Sequence, residues 1–172
     1  DPERIEGTLQ DVTERRLIEE QLRYLAEHDG LTGLGNRRLL EEQLGVMLSE
    51  ARLQPRGLAV LVLGLDDFKM INDTLGPSWG DRALEQVAQR LAQVATPHLA
   101  LARIGGDEFA VLAGDISDAS GAARIASRML RVLRAPLVLD GHELVVGASV
   151  GIALWPNDGV DPESLLRSAG AA

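Results

Sequence analysis

The sequence predicts an α/β (α+β) domain: a central mixed sheet flanked by helices. Three observations lead there. A near-continuous apolar run, Leu58-Ala-Val-Leu-Val-Leu63, ends at Gly64; stretches of helical period lie on both sides of it; and short apolar runs are joined by two tight turns, Gly105-Gly106-Asp107-Glu108 and Asp140-Gly141-His142. A run that is apolar at every position suits a strand covered on both faces, because a strand with one wet face alternates. Helices interleaved with strands, some of them in hairpins, imply a mixed sheet rather than an all-parallel one.

Taken in order, residues 1–12 are polar with a short β-like stretch. Thr13 to His28 is charged and carries Leu17, Ile18, Leu22 and Leu25 at helical spacing. Asp11 or Thr13 can cap this helix, with Glu14 completing a capping box from Asp11. It either lies on the domain or, since 18, 22 and 25 keep a/d-like spacing, pairs with its copy in a dimer. Three glycines between His28 and Asn36 mark a loop, and Arg37 to about Arg52 forms a helix that buries Leu39, Leu40, Leu44, Met47 and Leu48. After the apolar strand a polar loop is expected as far as Asp81, where helical period returns through Leu84, Val87, Ala88 and Leu91 to Val94. Leu99–Ile104 and Phe109–Leu112 form a hairpin. Ala119–Val132 is a helix, Val138–Asp140 and Leu144–Trp155 form a second hairpin, and a last helix begins near Pro162 with the chain stopping inside it.

The chain has 172 residues, enough for one domain of about 100–200 residues and an appendage. Only 3% of it is aromatic, so the core must come from Leu, Val, Ile and Ala. A formal net charge of −9 argues against wrapping nucleic acid or docking on an anionic membrane. A phosphate ligand must then be held by backbone amides, a metal or a few placed cations. With no cysteine, disulfides and thiolate metal sites are excluded and the reducing cytoplasm is the expected location. The longest apolar run is too short to span a bilayer. Asp1-Pro2 reads as a point inside a longer protein.

Two clusters can carry chemistry. At the tip of the first hairpin, Gly105 and Gly106 let the backbone turn tightly and approach a ligand, while Asp107 and Glu108 are suited to a hard cation. A plain solvated tip reads the same way. The second cluster follows the buried strand: Gly64-Leu-Asp66-Asp67-Phe-Lys69-Met-Ile-Asn72-Asp73, then Gly80-Asp81. Carboxylates at the end of a central strand are where sheet proteins place ligand chemistry. Lys69 can meet a phosphate, and Asn72 with Asp81 offers the donor and acceptor pattern that a base edge such as guanine requires. A polar loop with Asx turns is the bland alternative.

Together the clusters resemble the GGDEF family, also called diguanylate cyclases. The resemblance runs from about Leu22 to Ala172. It rests on Arg103-Ile-Gly-Gly-Asp-Glu-Phe109, His28-Asp-Gly-Leu-Thr-Gly-Leu-Gly-Asn-Arg37, Phe68-Lys-Met-Ile-Asn-Asp73, Gly80-Asp81, Ala148-Ser-Val-Gly-Ile-Ala153 and Pro156-Asn-Asp-Gly159. It implies a palm-like nucleotidyl-cyclase fold and the condensation of two GTP into cyclic di-GMP by a transient homodimer, assisted by Mg²⁺ or Mn²⁺. By that resemblance Asn72 and Asp81 recognise guanine, Lys69 meets a phosphate, and Gly105 and Gly106 bring backbone close to the phosphates. Arg103 belongs to the same GTP-binding set. Asp107 ligates metal and acts as base, Glu108 is the second acid, and Leu65 offers metal a backbone carbonyl. Gln10 to Arg15 resembles the exit of a PAS sensor domain, and Arg134 to Leu166 looks like GGDEF domains that continue into an EAL phosphodiesterase. The implied domain plan is a sensor remnant at 1–12, a signalling helix at 13–28, and a GGDEF domain at 29–172, truncated within its last helix.

The sequence also departs from the family's pattern. The family places a metal-binding acid where Gly64 stands, so metal binding is expected to be impaired and cyclase activity weak or lost. Asp66, two residues on, faces the same way about 6–7 Å along the strand; it matches a common family acid in its own right, so it is a further candidate metal ligand but not an obvious substitute. Pro77 replaces a usual histidine and Gly170 a usual aspartate. Thr96 and Leu99 occupy the positions of the family's Arg-x-x-Asp inhibitory site, so product inhibition there is not expected. Three roles follow: a GTP-binding regulator of an attached phosphodiesterase, an active cyclase, or a dimerisation scaffold that binds no nucleotide. His28, His98 and His142 show no metal spacing, and Trp79 and Trp155 read as packing residues.

Overall fold

A computed structural model describes residues 2–54 and 56–172. The elements are α1 (Pro2–Glu27), α2 (Arg37–Leu53), β1 (Leu58–Leu65), α3 (Phe68–Leu75), α4 (Pro77–Ala92), β2 (Leu99–Gly105), β3 (Glu108–Gly114), α5 (Ala119–Leu133), β4 (Leu137–Leu139), β5 (His142–Leu144), β6 (Ala148–Trp155) and α6 (Pro162–Ala171). The main sheet has the order β2-β3-β1-β6, and β4-β5 is a separate two-stranded hairpin. Every ladder is antiparallel; the parallel component comes down to one bridge between Gly35 and Ala102.

Strand β1 is covered on both faces, as its composition requires. Ala59, Leu61, Leu63 and Leu65 join one core with α4 and α5, while Leu58, Val60 and Val62 join a second core with α2 and α6. Helix α2 is capped by Asn36, whose carboxamide accepts from the Leu39 N–H, and it buries Leu40, Leu44 and Leu48. Helices α5 and α6 are capped in the same way by Asp118 and Asp161.

Four expectations need correction. Helix α1 begins at Pro2, so the β-like stretch is helical, Asp11 and Thr13 lie in the helix interior, and neither caps it; Asp1 lies outside the described residues. The helix does not lie on the domain: every residue from Asp11 to Ala26 is exposed, with Leu22 at 61% and Leu25 at 69%. The segment after β1 is not a loop but two helices, because Phe68, Ile71 and Leu75 keep helical spacing among the polar residues. The second hairpin closes only three residues per strand, and β6 leaves it to pair with β1.

Leu61, fully buried, and Leu25, exposed, separate the domain's stability from the helix. Leu61→Ala lowers unfolding free energy by about 2–5 kcal/mol, whereas Leu25→Ala stays within about 0.5 kcal/mol, as read from urea unfolding at dilute protein.

Candidate functional site

The carboxyl end of β1 gathers the two clusters. Residues opposite each other in antiparallel strands share a face, so Glu108, Gly64 and Ser149 form one row across β3, β1 and β6. This row continues the face of Val60 and Val62, just beyond the helices that cover it. A Cβ at Gly64 would meet nothing within 4 Å. The row therefore has a gap at its centre, with a carboxylate on one flank and a hydroxyl on the other.

Asp66 does not fill that gap. Its carboxylate accepts from Ser149 Oγ at 2.8 Å, and its N–H donates to the Gly147 carbonyl, also at 2.8 Å. Asp67 follows with a left-handed backbone, φ 55°, and turns the chain sharply into α3. The Gly106-Asp107 turn reaches back to β1, since the Leu65 N–H donates to the Asp107 carbonyl at 3.2 Å. Leu65 and Asp107 are thereby neighbours, with Asp107 half-buried and Glu108 exposed.

The proposed base-reading residues come together through α3 and α4. Lys69 and Asn72 are three residues apart on α3 and share its surface. Asn72 packs against Gly80: a Cβ there would stand 1.8 Å from Asn72 Oδ1. Glycine at 80 is what lets the carboxamide approach the first turn of α4, beside Asp81.

Arg103 is committed elsewhere. Its Nε and Nη2 donate to the Gly106 carbonyl at 3.0 and 2.7 Å, and its Nη1 to both Asp29 oxygens at 3.1 Å. The pair is mostly buried, with side-chain exposures of 15% and 21%. Arg103 thus ties the signature turn to the loop at the base of α1, where the Asn36 carboxamide donates to the Ala26 carbonyl at 2.8 Å. Burial pushes the Asp29 carboxyl up, but hydrogen bonds from the Thr32 hydroxyl and N–H and from Arg103 outweigh it and hold it below its ordinary value. Sequence reasoning missed the roles of Asp29 and Ser149. Both lie in quoted motifs, but nothing in the sequence marks Asp29 as the partner of Arg103 or Ser149 as the partner of Asp66.

Set beside known proteins, residues 26–172 match the model of the diguanylate cyclase, GGDEF domain. The chain belongs to the GGDEF domain family. Among its relatives is the cyclic di-GMP phosphodiesterase NbdA of Pseudomonas aeruginosa, 44% identical over 88% of this chain but only 19% of NbdA. A sensory box/GGDEF family protein from Caulobacter crescentus aligns with TM-score 0.81 and 40% identity, over 85% of this chain and 94% of that one. The coiled coil and GGDEF domain of DgcB from the same organism, in complex with c-di-GMP, aligns with TM-score 0.89 and 29% identity, over 98% of this chain and 90% of that one.

Among the described residues no three carboxylate or imidazole groups converge on one point. Asp107 and the Leu65 carbonyl could share one ion with the phosphates of a nucleotide, as Mg²⁺ sites often do. A second ion has no protein carboxylate at Gly64. A groove of about 690 Å³ lies at the far end of the sheet, lined by Leu39, Val46, Met47, Arg56, His98 and Leu99, and is separate from this GGDEF site.

The Asp29–Arg103 pair has a pH signature. A depressed carboxylate pKa contributes stability above the ordinary aspartate value, lost as pH falls through the folded one. Asp29→Asn therefore lowers stability by about 1–3 kcal/mol at pH 7 and flattens the decline of wild-type stability below about pH 4, measured by denaturant unfolding across pH.

Proposed function

We propose that this GGDEF domain binds GTP at the carboxyl end of β1, makes cyclic di-GMP slowly or not at all, and regulates an attached phosphodiesterase domain through its occupancy. The observation that carries this reading is the gap at Gly64. A Cβ there would touch nothing within 4 Å, and the Asp66 carboxylate accepts from Ser149. A bound Mg²⁺ or Mn²⁺ lowers the attacking oxygen's pKa and neutralises leaving-group charge.

The remaining residues supply binding. Asn72 and Asp81 read guanine, Lys69 meets a phosphate, and the backbone at Gly105 and Gly106 approaches the triphosphate. Arg103 acts on GTP indirectly, by fixing the Gly106 carbonyl. The site is acidic, with Asp66, Asp67, Asp73, Asp107 and Glu108 around one lysine. Like charge repels a triphosphate, so binding needs a divalent ion even where turnover fails.

The exposed stripe of α1 favours pairing with a second copy, in a chain that enters from a PAS-type sensor and continues into an EAL-type domain in the cytoplasm. We place the sensor exit at 1–12, the signalling helix at 13–28 and the catalytic-type domain from 29. A second reading, an active cyclase, is favoured by the intact Gly105–Phe109 signature and by the bond between Leu65 and the Asp107 carbonyl.

Two measurements test these readings. With Mg²⁺ or Mn²⁺ at high protein concentration, Gly64→Asp is expected to raise cyclic di-GMP formation about 10²–10³-fold over wild type, the range expected for one ligand in the transition state. A wild-type rate equal to the variant's selects the active cyclase instead. GTP titration by calorimetry is expected to show binding by wild type and a loss of about 1.5–3 kcal/mol in Asp81→Ala. No binding of any guanine nucleotide by wild type refutes the GTP reading.

A further inference from the structure

The first turn of α4 carries Gly80 and Asp81 yet has little local support. Its N-cap is Gly76, φ 96°, which offers no capping side chain, in contrast to Asn36, Asp118 and Asp161 on α2, α5 and α6. Within the turn, the Trp79 and Gly80 N–H groups reach the Gly76 carbonyl at 3.2 and 3.4 Å, the second a long bond.

Support comes instead from the β4–β5 hairpin. Arg82 forms a two-pronged pair with Asp140, Nη1 to Oδ2 at 2.5 Å and Nη2 to Oδ1 at 2.6 Å. Its guanidinium carbon lies 5.9 Å from the centre of the Trp79 ring, and that ring lies 6.0 Å from His142. Gln86 Nε2 donates to the Val138 carbonyl at 2.5 Å, and Arg90 donates to the carbonyls of Ala135 and Pro136. Residues 79, 82, 86 and 90 share one helix face, so the whole hairpin is strapped along α4. Positive φ at Asp140 and Gly141 makes the tight turn that sets the carboxylate opposite Arg82.

We propose that Arg82 and Asp140 are positioning residues for guanine selection: the hairpin strap fixes the first turn of α4, keeps Gly80 against Asn72, and sets the angle at which Asp81 meets the base. The proposal rests on the GTP reading above. The Arg82 and Asp140 side chains are 41% and 61% exposed, and exposed pairs add little to global stability. A planar guanidinium fork gripping a carboxylate fixes direction more than it adds energy. Asp81 directly precedes Arg82, so the grip acts one residue from the base-reading carboxylate.

The test compares GTP with ITP, whose base keeps the N1–H of guanine but lacks the 2-amino group that a carboxylate also accepts. Affinities are measured by calorimetry with Mg²⁺ on wild type, Arg82→Ala, Asp140→Asn, and the exchange Arg82→Asp with Asp140→Arg, with thermal unfolding in parallel. Each single variant is expected to narrow the GTP-to-ITP preference about tenfold, the size of one hydrogen bond to a charged group, while ITP affinity barely moves. The exchange restores the preference. Should Arg82→Ala fail to fold, Arg82→Gln carries the same comparison. A preference unchanged in the single variants, or equal losses for GTP and ITP that follow unfolding temperature, overturns the proposal. A wild type that binds neither nucleotide refutes the GTP reading itself and takes this proposal with it.

Discussion

Burial of β1 on both faces is the constraint from which the rest of the molecule follows. Its side chains alternate between two cores, and neither core closes without it. Past Leu63 one face stays covered, with Leu65 still in the core, while the face that held Val60 and Val62 opens at Gly64. Whatever stands at 64 is thereby held rigidly between Glu108 and Ser149. A functional group there needs no further positioning, because the sheet already fixes it. Glycine at that point offers no functional group, and a Cβ there would touch nothing within 4 Å, so the packing of the scaffold does not depend on it.

The supports of the site divide by strength. Arg103 joins the signature turn to the base of α1 through a mostly buried ion pair, so the helix that leaves the domain and the turn at the site share one anchor. The bonds that hold α4 to the β4–β5 hairpin are more exposed. The first of these is positioned to set whether the signature turn keeps its shape, the second to set the geometry beside Asp81.

Much of this was legible in the sequence. The unbroken apolar run named the central strand, the two-glycine tip named the first hairpin, and the quoted motifs named the family. The polar segment after Gly64 was misread because α3 is short and only one of its residues, Phe68, is buried, which leaves a weak periodic signal. The start of α1 was misread because the stretch from Asp11 to Ala26 is exposed, and no buried face marks where such a helix begins. That β6 leaves the hairpin to join β1 depends on long-range pairing, which local periodicity does not contain. The gap at Gly64 was visible as a departure from the family's pattern, but that Ser149 engages Asp66 required the fold.

If Gly64 deprives the site of a metal ligand, wild type holds fewer ions than a variant with an acid at that position. Counting ions tests this without any turnover: Mn²⁺ bound per domain is measured by electron paramagnetic resonance in the presence of a non-hydrolysable GTP analogue, for wild type and for Gly64→Asp. About one ion is expected in wild type, carried by Asp107 and the phosphates, and about two in the variant. Two tightly held ions in wild type would contradict it, because another group would then be filling the gap that Gly64 leaves.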